Sequence, residues 1–204
     1  MLVQSVLAMQ NLTFKFLVIG NSGVGKTSLV HRLCLNEFSE EIETTIGLEY
    51  MVYKLSISDT KVQLQIWDTA GQEQYRSLGR SYYRDAVGVL IVFAYNDHKS
   101  LDSLDQWISD ARTYCHPNMR VLLVGNKIDL EEDRAISKSE IEQYAKKRKL
   151  DFIETSAKTN ANVHEAFQRA ARSVYQAVIT NEIRIGPTPE IRPVHTSNDK
   201  GCCN

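Results

Sequence analysis

The chain has 204 residues, 43% of them hydrophobic and 24% charged, and is long enough to bury the core of one globular domain that carries a short tail. Its 24 basic and 25 acidic residues leave a net charge of −1, which excludes recruitment to nucleic acid or anionic lipid by a global electrostatic field. No apolar run approaches the about 20 residues of a membrane-spanning helix. The stretch from Met1 to Met9 lacks a basic residue and a cleavage site, so no secretory signal is predicted and the protein is expected to be intracellular.

The first half of the chain predicts a strand, a helix and a hairpin. The apolar run 16–19 leads into a glycine-rich segment and then into 28–33, as expected of a buried strand, a tight loop and a helix. Apolar residues then occupy alternate positions through 51–57 and 62–66. Because a period of two indicates strands and the pattern breaks at 58–60, the two runs predict a β-hairpin.

The second half alternates strands with helices. Unbroken apolar runs at 87–93 and 121–124 are typical of parallel strands that are covered on both faces. A helix is predicted from 100 to about 114, and another begins where Ser137 and Glu140 form a capping box. The last strand is predicted near 151–154, and a final helix follows a cap at Asn162. The alternation predicts a three-layer α/β domain with a mostly parallel sheet and one antiparallel edge strand.

The two ends of the chain depart from this alternating pattern. Prolines and polar residues after 181 cannot sustain a core, which predicts a flexible tail. We therefore expect a flexible leader at 1–13, one domain at 14–180 and a flexible tail at 181–204. The leader is longer than the domain needs, so Met9 is an alternative to Met1 as the start.

A glycine-rich segment joins the first strand to the first helix. It reads Gly20-Asn21-Ser22-Gly23-Val24-Gly25-Lys26-Thr27 and matches the phosphate-loop pattern. The glycines permit backbone amides to surround phosphate oxygens, Lys26 reaches the β- and γ-phosphates, and the Thr27 hydroxyl binds Mg²⁺. The alternative is a chance glycine-rich turn, which the flanking strand and helix disfavour. The segment predicts a site for a nucleotide and Mg²⁺.

Two further motifs follow strand ends and concern the base of the nucleotide. They read Asn126-Lys127-Ile128-Asp129 and Ser156-Ala157-Lys158. The Asp129 carboxylate can accept hydrogen bonds from the ring N–H and the exocyclic amine of guanine, a donor pair that adenine lacks. The stem of Lys127 can lie along the base, and a backbone amide after Ser156 can donate to the guanine carbonyl. Each motif alone fits an ordinary loop, but their order after strand ends favours a guanine nucleotide over ATP.

An acidic segment after the hairpin is the last of the motifs that predict the nucleotide site. Asp68 can hold Mg²⁺ through water, and the amide of Gly71 can approach a γ-phosphate. Together with Thr45, the three motifs and the segment 68–72 resemble the small GTPases of the Ras superfamily over 14–180. The resemblance implies a P-loop NTPase fold, the G domain, with a six-stranded sheet and helices on both faces.

The resemblance also implies individual roles. Thr45 is expected to close over Mg²⁺ and the γ-phosphate, Phe38 to contact the base edge-on, and Gln72 to orient the attacking water. Catalysis is expected from Gln72, Lys26 and Thr45, and Mg²⁺ binding from Thr27, Thr45 and, through water, Asp68. The two mobile switch segments are expected at 37–48 and 70–83. The implied nucleotide-binding residues are Asn21, Ser22, Gly23, Val24, Gly25, Lys26, Thr27, Ser28, Phe38, Thr45, Gly71, Asn126, Lys127, Asp129, Ser156, Ala157 and Lys158.

Within the superfamily the sequence resembles the Rab branch. The segments with this resemblance are 46–50, 64–67, 75–78 and 81–84. The chain has no cysteine fourth from its end, as the single-prenyl box of the Ras and Rho types requires, and Leu2 stands where Arf-type myristoylation needs glycine. The terminal pair Cys202 and Cys203 instead resembles the double geranylgeranylation signal of Rabs. Unmodified terminal thiols are the alternative.

The Rab resemblance implies partners and a location. It implies GTP and GDP as ligands, effectors and an exchange factor that bind through 37–50 and 70–83, and a GTPase-activating protein, because no arginine in the motifs is an evident catalytic finger. A prenylation escort and a GDP-dissociation inhibitor are also implied. The expected protein is a monomeric regulator of vesicular trafficking, held by its prenyl groups on the cytoplasmic face of an endomembrane. A scaffold with negligible hydrolysis and a P-loop kinase remain as alternatives.

Overall fold

The computed structural model describes residues 12–40, 48–69 and 80–185. Strands and helices alternate through these residues, and a short 3-10 helix lies at Arg80–Tyr82. The strands are β1 (Leu12–Ile19), β2 (Leu48–Ile57), β3 (Thr60–Thr69), β4 (Gly88–Ala94), β5 (Arg120–Asn126) and β6 (Asp151–Glu154). The helices are α1 (Lys26–Leu35), α2 (His98–Asp102), α3 (Leu104–Tyr114), α4 (Lys138–Arg148) and α5 (Val163–Ile179).

The described strands form a six-stranded sheet in the order β2-β3-β1-β4-β5-β6. The edge strand β2 pairs with β3 in antiparallel register, and every other neighbouring pair is parallel. In β2 the predicted inward positions, from Met51 to Ile57, are less exposed than the residues between them. The predicted hairpin and the predicted mixed sheet are both confirmed.

Two apolar cores lie on opposite faces of the sheet. Alternate residues of β1 point to opposite sides because successive strand side chains do so: Phe16 belongs to the core beneath α1 and α5, and Leu17 to the core beneath α3 and α4. Both side chains are fully buried. Burial on both faces explains why the central strands are continuous apolar runs, and it confirms the three-layer architecture.

The helix predicted from 100 to about 114 is divided in two. Ser103 separates α2 from α3, and its hydroxyl donates to the Lys99 carbonyl oxygen at 2.9 Å, a local bond that competes with the regular helical ladder.

No described helix is long and apolar enough to span a bilayer.

Both predicted cap residues stand at the start of their helices, but only one of them makes the capping hydrogen bond with its side chain. The Ser137 hydroxyl accepts a hydrogen bond from the Glu140 amide at 3.2 Å, at the start of α4. Asn162, at the start of α5, has φ 56° and makes no side-chain cap bond; its side-chain Nδ2 donates to the Glu154 carbonyl oxygen at 2.9 Å. Its side chain therefore joins α5 to β6, because the left-handed backbone turns it away from the first turn of the helix.

Candidate nucleotide-binding site

The predicted site lies at one edge of the sheet. The phosphate loop follows β1, Asp68 lies near the end of β3, and the two base motifs follow β5 and β6. The parallel register pairs Val18 of β1 with Asp68, which places this carboxylate beside the start of the loop. Because parallel strands end at a common edge, motifs that are far apart in sequence converge there.

The phosphate loop is shaped by glycines whose Cβ atoms would have no room. Gly20 has φ 145°, and a Cβ there would lie 2.1 Å from the Val92 carbonyl oxygen. Gly25 has φ 90°, and a Cβ there would lie 2.4 Å from the Asn126 side-chain nitrogen. Both contacts are far shorter than van der Waals distance and both φ values disfavour other residues. The loop therefore packs directly on β4 and on the first base motif.

Side-chain hydrogen bonds hold the phosphate loop in place. Lys26, the first residue of α1, is only 5% exposed, and its Nζ donates to the Asn21 carbonyl oxygen at 2.9 Å. The Asn21 side chain accepts from Trp107 Nε1 at 2.8 Å and donates to Ser103 Oγ at 3.0 Å. The ammonium group thus lies over the loop, and α3 supports the loop from outside.

Thr27 and Asp68 form the candidate cation site. The Thr27 hydroxyl donates to Asp68 Oδ2, and the Asp68 side chain is fully buried. Among the described residues, Asp68 Oδ1 has no hydrogen-bond partner. Burial raises the pKa of Asp68 to about 6, against the opposing effect of the Thr27 hydroxyl. A buried carboxylate that is incompletely compensated is stabilised by a cation.

These oxygen donors fit Mg²⁺, which binds proteins through one or two carboxylates together with phosphates and water. The described residues contain no group of three His, Cys, Asp or Glu that could bind a metal by themselves. Beyond Thr27 and Asp68, a cation there would need further ligands, which a phosphate, water and the predicted ligand Thr45 can supply. The donor set fits a metal that is bound together with a nucleotide.

Asn126 connects the phosphate loop to both base motifs. It is 1% exposed, and its Nδ2 donates to the Val24 carbonyl oxygen at 2.9 Å. Its Oδ1 accepts from the Ala157 amide at 3.2 Å and from Thr155 Oγ1 at 3.3 Å. One buried amide therefore fixes three loops relative to one another.

Asp129 is oriented by the last motif. Its Oδ1 accepts a hydrogen bond from the Ser156 hydroxyl, and the same hydroxyl accepts from the Thr159 amide at 3.0 Å. The Ile128 amide donates to the Thr155 carbonyl oxygen at 3.2 Å. The two base motifs are thus held together, with the Asp129 carboxylate positioned at the sheet edge.

Comparison with known proteins agrees with this geometry. The model of the Ras family matches residues 15–176. The Ras-related protein Rab-4B of rat, of human and of mouse is in each case 44% identical over 170 residues, which cover 83% of this chain and 80% of the relative. The chain belongs to the Ras family. It is a Rab-type small GTPase of the Ras superfamily.

Family membership confirms several predictions about this small GTPase. The predicted GTP hydrolase activity, the Rab-type role in vesicular trafficking and the G-domain fold are confirmed. Members of the family bind GTP or GDP with Mg²⁺ and act through regulators and effectors, and the similarity to Rab-4B supports association with an endomembrane. The P-loop kinase and the scaffold without hydrolysis are not supported.

The structure brings together most of the predicted site residues of this GTPase. Lys26, Thr27 and Asp68 meet at the phosphate side, and Asp129 meets Ser156 at the base side. Phe38 follows α1 and packs, half-buried, against the core beneath α1 and α5; its contact with the base stays a prediction. Five predicted residues lie outside the described residues: they are Thr45, Gly71, Gln72, Cys202 and Cys203.

Some functional contacts were not predicted from the sequence. The support of Asn21 by Trp107 and Ser103 was missed, because nothing near the phosphate loop indicates which helix packs on it. Arg32 was also missed: it looks like any arginine on a helix surface, yet its guanidinium donates to the Ala157 carbonyl oxygen at 2.9 Å.

Proposed function

We propose that this Rab-type GTPase is a switch that binds GTP or GDP together with Mg²⁺ at the sheet edge, through the residues predicted from the sequence. The contact between the Thr27 hydroxyl and the buried Asp68 carboxylate is the observation that supports it most directly. When bound, Mg²⁺ neutralises charge on the β- and γ-phosphates. Lys26 adds a fixed positive charge on the same side, and the loop amides donate to phosphate oxygens.

The roles of the switch residues belong to the same proposal. Thr45 closes over the γ-phosphate in the GTP state, and Gln72 orients the attacking water for in-line displacement. Hydrolysis removes the phosphate that both segments contact, so the segments are released. Effectors and regulators therefore distinguish the two states through 37–50 and 70–83.

The experiment for this proposal is single-turnover hydrolysis by Gln72→Leu. Leucine has a similar size but cannot hydrogen-bond to water, so the rate is expected to fall about 10- to 100-fold while GTP binding is retained. The measurement is phosphate release from protein preloaded with GTP.

Gln106→Leu is the matched control, because Gln106 is exposed on α3 and its side chain donates to Asp110 of the same helix at 2.9 Å. Its rate is expected to equal that of the unaltered protein. An unchanged rate in Gln72→Leu would remove the proposed role of Gln72 and favour the nucleotide-binding scaffold.

The proposed membrane anchor is a pair of prenyl groups on Cys202 and Cys203. One lipid chain gives only marginal, reversible binding, and the charges of the tail nearly cancel, so the tail offers no polybasic second signal. Two chains meet the requirement for stable anchoring at the cytoplasmic face of an endomembrane. Cycling through the cytosol then needs an escort that covers the lipids, such as a GDP-dissociation inhibitor.

Replacing both terminal cysteines by serine is expected to abolish membrane association and leave GTP binding unchanged. The measurement is fractionation of cells that express the variant, together with the mass of the purified protein. Cys34→Ser is the control, because Cys34 lies in α1 and packs against the core rather than in the tail. Membrane binding that persists in the double variant would overturn the lipid-anchor proposal.

A further inference from the structure

Arg32 joins two segments that no regular secondary structure connects. Its Nε donates to the Ala157 carbonyl oxygen at 2.9 Å and its Nη2 to the Lys158 carbonyl oxygen at 3.2 Å. Its Nη1 donates to the Asn36 carbonyl oxygen at 2.9 Å. One guanidinium group therefore holds the base motif after β6 against the chain that leaves α1.

The backbone on the α1 side is shaped for this contact. Asn36 ends α1 with φ 58°, a left-handed conformation that turns the chain out of the helix. The guanidinium carbon of Arg32 lies 5.9 Å from the ring centre of Phe38, at the outer limit of a cation–π contact. The segment that carries Phe38 is thus held near Arg32 by the carbonyl contact and by the ring.

A second contact joins the same two segments. Lys158 Nζ lies 2.6 Å from Glu40 Oε1, and both side chains are largely exposed. Exposed ion pairs contribute little and are screened by salt. The ion pair therefore supplements Arg32, whose three contacts to main-chain oxygens do not depend on a second mobile side chain.

The two joined segments are those that the proposed function places on the base. Under that proposal, Ala157 and Lys158 lie at one side of the guanine and Phe38 at its edge. A nucleotide held between them leaves only after they separate. Separation requires that the Arg32 contacts to at least one segment break.

We propose that Arg32 is a positioning residue that limits the rate at which GDP and GTP leave the site. This role of Arg32 rests on the proposed nucleotide site. It adds to that site a residue that touches neither the phosphates nor the base. Its planar guanidinium directs three separate nitrogens to three carbonyl oxygens, whereas a lysine carries all its donors on one nitrogen.

The test measures dissociation of a fluorescent GDP analogue from the full-length protein in Mg²⁺, after addition of excess unlabelled GDP. Arg32→Ala is expected to accelerate dissociation about 10- to 100-fold, since several charge-assisted hydrogen bonds are lost. Arg32→Lys retains the charge and is expected to show most of this acceleration. Glu40→Gln is expected to accelerate it only about two- to threefold, an effect that disappears at high salt.

Arg172→Ala is the matched control, because Arg172 is exposed on α5 and its guanidinium lies 3.3 Å from Gln168 and 3.9 Å from Glu165 of the same helix. Its dissociation rate is expected to match that of the unaltered protein. Chelation of Mg²⁺ acts at the phosphate side, so the acceleration by Arg32→Lys is expected to persist by a similar factor in EDTA. If Arg32→Lys instead loosened the phosphate loop, its effect would not be independent of Mg²⁺, and the factor measured in EDTA would differ.

The outcomes separate the two proposals. Failure of the unaltered protein to retain GDP overturns the proposed function itself. Retention with an unchanged rate in Arg32→Lys and Arg32→Ala overturns the role of Arg32 alone. If Arg32→Ala does not fold, Arg32→Lys decides, because its aliphatic stem preserves packing on α1.

Discussion

Asp129→Ala is expected to weaken binding of GDP and GTP about 10²- to 10³-fold and to leave the weak binding of ATP unchanged. The carboxylate accepts from two guanine donors, and the variant leaves both without a partner. Loss of one partner from such a charged hydrogen-bonded pair costs about 3–4 kcal/mol. The Ser156 hydroxyl, which donates to Asp129 Oδ1, also loses its acceptor. Because adenine lacks this donor pair, the loss is expected for guanine nucleotides and not for ATP.

Competition of a fluorescent GDP by GTP, GDP and ATP measures this change. Asp133→Ala is the control, because Asp133 is an exposed acid in the loop that follows the same motif. It is expected to bind like the unaltered protein. Equal loss of GTP and ATP binding in Asp129→Ala would mean that Asp129 supports the loop after β5 and does not recognise the guanine base.

Asp68→Asn is expected to remove most of the dependence of nucleotide affinity on Mg²⁺. An amide retains an acceptor for the Thr27 hydroxyl but provides no charge for the cation, so GDP affinity in Mg²⁺ should fall to nearly the value that the unaltered protein has in EDTA. The measurement is GDP affinity as a function of Mg²⁺ concentration. Asp59→Asn, at the exposed turn between β2 and β3, is the control.

In the absence of metal and nucleotide, Asp68→Asn is expected to be at least as stable as the unaltered protein. The pKa of Asp68 in the folded protein is about 6, above the ordinary 3.8. At pH 7 the Asp68 carboxylate therefore lowers the free energy of unfolding by roughly 3 kcal/mol. Asp68→Asn removes this charge. Its melting temperature in EDTA should therefore be no lower than that of the unaltered protein; a clear decrease would show that Asp68 is a purely structural acid.

Much of the fold could be predicted from local patterns. The alternating hairpin strands, the continuous apolar runs of the central strands and the cap at Ser137 each reflect an interaction within a few residues or a constant environment along one element. The predictions failed where a side chain had two possible partners. Asn162 could cap α5 or bond to β6, and Ser103 could continue a helix or bond back to Lys99. Local sequence does not choose between such partners.

By itself, the sequence determined the kind of site: the glycines that admit phosphate, the hydroxyl and carboxylate that suit Mg²⁺, and the acid that suits guanine. These are properties of residue type and spacing, which hold wherever the segments lie. Only the tertiary structure decided how the segments are held together. Asn126 joins three loops, and Arg32 reaches the Ala157 carbonyl oxygen across 125 positions of sequence. Such contacts arise because parallel strands bring their ends to one edge of the sheet, and no short pattern records which side chains then meet.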